Sequence, residues 1–376
     1  MPSAWRSRPF VETADVQGAA NDEPAEPVFG DGLFRQKRKK GKYRVVSPPI
    51  PALEAPVADT HAHVQMLADP AAELARCAVH GVGFVACVVD PSEDGDDRGY
   101  GELAGWREGA TARAGAYADG VRGQMAGERE TTEGGSERDE AAVSAVPACD
   151  LLGLRVPDVR FIVGVHPHNA KDYEGASGRL RELLADPRTA ALGEIGLDYH
   201  YDLSPRDVQR QVFRDQIRLA KEAGLPIALH VREAHDDAFA ILGEEGFPAA
   251  GTLLHCFNLD EVEVARWVEA GCFVAFGGPL TFKAADDVRR AAARVPRNRL
   301  LTETDSPYMT PEPMRGMPCG PAHTVFTAAC LAEVLGCTAG AQRQQLLERL
   351  MANARGLLDR APTAWQLAYG KGDDTR

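Results

Sequence analysis

Eight short, nearly continuous apolar runs recur along this chain, separated by segments of helical periodicity, and that alternation limits its fold more than any other feature. The runs are Val57–His61, Gly83–Val89, Phe161–Val165, Ala191–Gly196, Pro226–His230, Thr252–Cys256, Cys272–Phe276 and Arg299–Thr302. A run without polar alternation reads as a strand buried on both faces, the situation of a parallel sheet covered by helices. Start signals support the intervening helices. Asp69-Pro70 sets a capping carboxylate before a proline at the first helical position, with His80-Gly81 as the stop. Ser204-Pro205 repeats the device, and Val212, Phe213, Gln216 and Ala220 share one face of the helix it opens. Eight such units predict an α/β chain folded as a (β/α)8 TIM barrel, whose active site lies at the carboxyl ends of the strands.

The barrel reading spans residues 57–362. Residues 1–56, rich in Pro, Gly and charge, read as a disordered N-terminal extension with a basic cluster, Arg35-Gln36-Lys37-Arg38-Lys39-Lys40-Gly41-Lys42. A solvated arm is the leading interpretation of that cluster; an arm that holds phosphates for an acidic body is the sharper one. After the second strand, residues 91–142 are dense in Gly, Asp, Glu and Arg. They read as a long low-complexity insertion, disordered or partly helical, emerging on the catalytic face, with an inert loop as the leading reading and a lid as the other. Residues 363–376 read as a C-terminal tail.

A chain of 376 residues could hold one large or two ordinary domains, and a hydrophobic content of 44% suffices for a sizeable core. The formal charge of −13 argues against broad electrostatic attachment to nucleic acid. It does not exclude a nucleic-acid substrate, because bound cations would reverse the local sign inside an acidic cleft. The eight cysteines form no C-x-x-C pair and sit mainly in apolar segments, as reduced thiols of a cytoplasmic protein would. No signal peptide is visible at Met1-Pro2-Ser3-Ala4-Trp5, and no run approaches the ~18 apolar residues of a membrane span. The expectation is a soluble, cytoplasmic protein without membrane contact or an obligate protein partner.

Several runs end in side chains that bind metals. Asp59-Thr60-His61-Ala62-His63 closes the first, and residues two apart on a strand point the same way, so His61 and His63 project together. Glu194, His230, His255 and Asp305 follow at the ends of the fourth, fifth, sixth and eighth runs. Each alone reads as a satisfied polar residue at a strand terminus. Their recurrence at one end of a barrel points to a shared metal site. Four histidines and two carboxylates exceed the needs of one four-coordinate ion, so two divalent ions (Zn, Mn or Mg) are expected, with Glu194 bridging them. Asp305 would bind a metal and accept the proton of the attacking water. Arg232, two residues after His230, offers a planar fork suited to phosphate, or a salt bridge to Glu194 or Asp198. His166 and His168, in Gly164-Val165-His166-Pro167-His168, would contact phosphate or protonate a leaving group.

With these residues identified, the chain closely resembles the TatD family of metal-dependent nucleases, within the amidohydrolase-like superfamily. The matching stretches are Asp-Thr-His-Ala-His (59–63), Gly-Val-His-Pro-His (164–168), Gly-Glu-Ile-Gly-Leu-Asp-Tyr (193–199) and His-Val-Arg-Glu-Ala (230–234). His-Cys-Phe (255–257), Thr-Phe-Lys (281–283), Glu-Thr-Asp-Ser-Pro-Tyr (303–308), Arg315-Gly316 and Asn353-Ala354 continue the match. The resemblance implies hydrolysis of phosphodiester bonds, of an exonuclease kind, by a metal-activated hydroxide. It also implies one ion on His61, His63, Glu194 and Asp305 and another on Glu194, His230 and His255. Two stretches depart from the family pattern: Met-Pro-Cys-Gly-Pro (317–321) stands where Asn-Glu-Pro is usual, and Leu259 where Gly is frequent.

Three functions compete on these grounds. The first is a deoxyribonuclease acting on single-stranded DNA ends, with RNA or tRNA as other nucleic-acid partners. The second is a hydrolase of another substrate on the same metals, such as a D-aminoacyl-tRNA deacylase or an amidohydrolase. The third is a non-catalytic scaffold, which retention of six candidate ligands disfavours.

Overall fold

The structure, a computed structural model, describes residues 33, 35–39, 42–46, 50–93, 98–132 and 154–369. Ten strands are present among the described residues. Two form a separate antiparallel ribbon, β1 (Arg35–Lys39) with β2 (Lys42–Val46). The other eight are β3 (Val57–Ala62), β4 (Val82–Val89), β5 (Asp158–Val163), β6 (Thr189–Asp198), β7 (Ile227–Arg232), β8 (Thr252–Leu254), β9 (Phe273–Phe276) and β10 (Leu300–Thr302). Each of these eight lies beside its neighbours in sequence and runs parallel to them. That order, with helices between strands, is a (β/α)8 barrel. The eight apolar runs correspond to the eight barrel strands, with ends shifted by a few residues.

Between β3 and β10 the barrel closes by side chains as much as by backbone. Thr60 Oγ1 donates to the Thr302 carbonyl at 3.0 Å, and Thr302 Oγ1 donates to that of Ala58 at 2.8 Å. Asp59, fully buried, accepts from the Thr304 amide at 2.9 Å and from its hydroxyl at 2.6 Å. The Asp305 amide then donates to the His61 carbonyl at 2.9 Å, and the His63 amide to that of Ser306 at 2.7 Å. This seam brings the motif of the first strand against the motif of the last.

The helix Pro70–His80 starts as expected, with Asp69 accepting from the Ala72 amide, and ends on Gly81 at φ 76°. Ser204 does not cap the helix Arg206–Ala223. Its hydroxyl donates to the His168 carbonyl at 2.7 Å instead, fastening the loop after β5. On that helix two buried amides dock onto strand ends. Gln216 bonds both backbone groups of Val165, and Gln209 bonds both of Asp198.

Three segments carry more regular structure than their composition suggests. Arg98–Thr132 is one long helix, within the stretch read as a low-complexity insertion; residues 133–142 of that stretch lie outside the described residues. Tyr100, Leu103, Trp106, Ala110, Ala114 and Ala118 bury one face of it, and Tyr100 stacks on Phe161 at 3.8 Å. Its first half is therefore the barrel's own second crossover helix. Many glycines dilute the periodicity, each costing about 1 kcal/mol of helix propensity against Ala, but packing on the barrel outweighs them. Within the N-terminal extension, the β1–β2 ribbon and the buried Leu33 replace the expected absence of structure at residues 33, 35–39 and 42–46. In the C-terminal tail, Ala364–Tyr369 is helical, and Gln366 Nε2 donates to the carbonyls of Leu184, Asp186 and Thr189. No helix among the described residues is long and apolar enough to cross a membrane.

Candidate metal centre

Glu194 lies near the middle of a cluster drawn from six strand ends. Its strand, β6, reads Gly193-Glu194-Ile195-Gly196, and both glycines are sterically required. A Cβ on Gly193 would sit 2.6 Å from that of Ala228, and one on Gly196 would sit 2.0 Å from the His230 carbonyl oxygen. Gly196 also holds φ 144°, a region costly for any other residue. The glycines let β6 and β7 approach closely enough for Glu194 Oε1 to lie 2.5 Å from His230 Nδ1.

The two carboxylate oxygens of Glu194 face different partners. Oε1 lies 3.0 Å from His255 Nε2 and 3.5 Å from His166 Nε2, in addition to His230. Oε2 lies 3.3 Å from His61 Nε2 and 3.8 Å from His63 Nε2. Those two imidazoles lie 3.9 and 3.7 Å from Asp305 Oδ1. Asp305 sits past the end of β10 at φ 60°, a conformation costing about 1–3 kcal/mol and held by the hydrogen bonds of the barrel seam. The groups His61–His63–Glu194 and Glu194–His230–His255 each bring one ligand atom per residue within 4.8 Å of one another.

Two acids unassigned by the sequence reading orient the histidines. Glu303 is fully buried; its Oε1 lies 3.2 Å from His255 Nδ1 and accepts the Cys256 amide at 2.7 Å. Asp198 Oδ2 lies 3.1 Å from His230 Nε2 and 2.9 Å from His168 Nε2, while its Oδ1 accepts the amides of His200 and Tyr201. Both rings thus have one nitrogen on an acid and the other on Glu194 or its surroundings, as carboxylate–histidine–metal arrangements require. Asp90, after β4, plays a similar part for the next loop, accepting the His166 amide and the Asn169 side chain, each at 2.9 Å. The signal was in the sequence, since Glu303 and Asp198 belong to the same motifs as Asp305 and Glu194. Which of two acids on one strand faces the centre depends on the strands around it.

Arg232 stacks its guanidinium on the Tyr201 ring at 4.7 Å. Among the described residues it forms no salt bridge to Glu194 or Asp198. Of the departures from the family pattern, Leu259 is exposed. Cys319 and Gly320 are buried, with Gly320 so close to Glu73 that a Cβ there would lie 2.2 Å from its Oε2.

Electrostatics favour a cation here. Burial pushes the Glu194 carboxyl upward, but the imidazoles of His255, His166, His61 and His230 outweigh it and hold the group well below the usual carboxylate range. Burial raises Asp305 to about 6, assisted by the charges of Glu194 and Glu303 and opposed by His255 and His61. Burial lowers His63 to about 3 and His166 to about 4, leaving both rings neutral at pH 7 with a lone pair for a ligand. His61 supplies the clearest test of fit. It is fully buried, and neither ring nitrogen has a hydrogen-bond partner, nor has Glu303 Oε2. Buried polar atoms are rarely left so, at a cost of about 1–3 kcal/mol each, and a cation beside Glu194 Oε2 would satisfy the Nε2 atom. The donor set of imidazoles and carboxylates suits a divalent metal.

The family model described as TatD related DNase matches residues 58–359, most of the chain. The chain belongs to the TatD family. YabD of Bacillus subtilis, an uncharacterized metal-dependent hydrolase, is 44% identical over 174 residues, covering 46% of this chain and 68% of its own. YcfH of Escherichia coli K12, named likewise, is 40% identical over 187 residues, covering 50% of this chain and 70% of its own. The 3′-5′ ssDNA/RNA exonuclease TatD of Erwinia billingiae is 32% identical over 196 residues, covering 52% and 75% respectively. Among solved structures, the TatD homologue YjjV of Escherichia coli superposes with a TM-score of 0.59 at 24% identity, covering 81% of this chain and 98% of that one. A TatD family hydrolase from Entamoeba histolytica gives 0.61 at 15% identity, covering 83% and 100%. Both likenesses concern the fold. The TatD chain described here is thus a member of a metal-dependent hydrolase family.

Proposed function

We propose that this TatD-family chain is a divalent-metal-dependent phosphodiesterase that shortens single-stranded nucleic acid, DNA foremost, from an end. The observation that carries this reading is the division of the two Glu194 oxygens between two sets of imidazoles, the arrangement expected of a bridging carboxylate. One ion would be held by His61, His63, Glu194 and Asp305, and a second by Glu194, His230 and His255, with Zn, Mn or Mg as candidates. Such ions, when bound, supply Lewis acidity toward a phosphoryl oxygen and lower the pKa of water.

The remaining work falls to the protein. Asp305, at the edge of the cluster, accepts the proton released when water attacks phosphorus, as the P–O bond to the departing nucleoside breaks and that oxygen takes up a proton from solvent. His166 and His168 reach the same face from the loop after β5, and Arg232 supplies a planar cation for the phosphate oxygens. Glu303 and Asp198 hold His255 and His230 with the correct nitrogen toward the centre. The name of the Erwinia billingiae relative supports a nucleic-acid substrate.

The test is release of nucleotides from a single-stranded oligonucleotide, with a chelator control and metal analysis of the purified protein. Glu194→Ala and Asp305→Ala are each expected to lower kcat by at least ~10³-fold, in keeping with loss of a metal bridge or a proton acceptor. Full activity in either variant overturns its role. Turnover of D-aminoacyl-tRNA with no release of nucleotides would move the assignment to ester hydrolysis on the same ions.

A further inference from the structure

Apart from Leu367 and Tyr369 in the C-terminal helix, the large apolar side chains left exposed among the described residues follow barrel strands. Among the described residues, Met66, Leu203, Leu259, Val262, Tyr308 and Met309 all follow the carboxyl ends of barrel strands, in the segments after β3, β6, β8 and β10. A rim of this kind around a polar, metal-binding centre is poorly suited to a small hydrophilic substrate. It suits a molecule whose charged part enters the centre while flat apolar parts remain outside.

Two aromatic rings sit where such parts would rest. Tyr308 is 47% exposed, its ring lies 6.2 Å from that of His63, and nothing among the described residues hydrogen-bonds its hydroxyl. Tyr201 is half-buried; the rings of His168 and His200 stand perpendicular to it at 5.4 and 4.7 Å, and the Arg232 guanidinium covers one face, so a base would rest on the opposite face. The chain of neighbours runs Tyr308, His63, Glu194, His230, Asp198, His168, Tyr201, with Glu194 between the two tyrosines.

Resting on the phosphodiesterase reading above, we propose that Tyr308 and Tyr201 are stacking platforms for the two nucleobases that flank the scissile phosphate. A phosphodiester has one nucleoside on each side, and a base can lie on an aromatic ring only when it is free of its own stack and partner. Selection of single-stranded ends then follows from the site itself, since paired bases cannot reach either ring. Sequence preference is expected to be weak, because every base offers a π face.

The experiment uses the full-length protein and two fluorescent single-stranded oligonucleotides, one bearing bases throughout and one abasic at its terminal nucleotides. Binding is read by anisotropy in chelator, so no turnover is required, and KM and kcat are read separately with metal. Tyr308→Ala and Tyr201→Ala are each expected to weaken binding of the base-bearing strand ~10–100-fold, as for loss of one stacked base. Tyr308→Phe keeps the ring and should restore wild-type affinity, and the abasic strand should bind wild type and both Ala variants alike. In turnover, the loss should appear in KM far more than in kcat. Equal weakening on both strands, or none on either, overturns the stacking role. Base-dependent binding without metal-dependent cleavage would leave the platforms standing and remove the nuclease reading instead.

Discussion

Glu194 is buried yet held ionised, and that is sustainable only because imidazoles surround it on both sides. The same condition places demands on the histidines: each must present one particular nitrogen. Asp198 meets that demand through a hydrogen bond to His230, and Glu303 by lying 3.2 Å from His255 Nδ1. Glu303→Gln and Asp198→Asn are therefore expected to weaken divalent-metal affinity ~10–100-fold while leaving the far-ultraviolet circular dichroism unchanged. Competition with a fluorescent chelator measures it, and affinities matching wild type would show that the two acids serve packing alone. At this scale the sequence was legible where a polar side chain ended an apolar run, as at His61, His230 and His255. Glu303 stands in the same motif as Asp305, but its contact with His255 joins residues 48 positions apart across an intervening strand, which no local pattern shows.

The helix Arg98–Thr132 shows what composition conceals within an element. Its Gly, Glu and Arg content suggested a low-complexity insertion, yet Tyr100, Leu103, Trp106, Ala110 and Ala114 recur at spacings of three or four and are buried. Trp106→Ala is expected to destabilise the fold by about 3 kcal/mol, measured by urea unfolding. A loss below about 0.5 kcal/mol would mean that the helix is an appendage after all. Local patterns were also misread where tertiary contacts recruited the residue elsewhere. Ser204 precedes a helix in the manner of a cap, but its hydroxyl bonds the His168 carbonyl and so supports the site rather than the helix. In β6, Gly196→Ala should destabilise by about 3 kcal/mol, because the added carbon meets the His230 carbonyl at 2.0 Å. A thermal scan alongside metal analysis would separate that strain from a direct effect on the centre.

Closure of the barrel is a property of the whole molecule, and it coincides with assembly of the centre. Asp59 joins β3 to the segment after β10 by accepting both Thr304 donors. Burial pushes its carboxyl upward while the donors of Thr304 and His61 oppose the shift, and both of its oxygens act in the seam as hydrogen-bond acceptors. Asp59→Ala is expected to cost about 2–3 kcal/mol and Asp59→Asn markedly less, compared by denaturant midpoint. Metal stabilises the same seam if both of its sides ligate it. Removal by chelator should then lower stability by about 2.7 kcal/mol relative to protein in metal at a hundred times its dissociation constant. A melting temperature indifferent to chelator would argue against ions at Glu194.

What the order of residues determined by itself was the repeat: eight apolar stretches with helical spacers fit few architectures, because each strand must be covered on both faces. The sequence likewise set His61, Glu194 and Asp305 within or just past those stretches, with His63 two residues beyond His61. Tertiary structure decided which acid faces an imidazole and which faces a ligand position, which loop hydroxyl is drawn off to another strand end, and which glycine-rich segment is stiffened into a wall helix. Those outcomes depend on distances between segments far apart in the chain, and only closure of the barrel sets those distances.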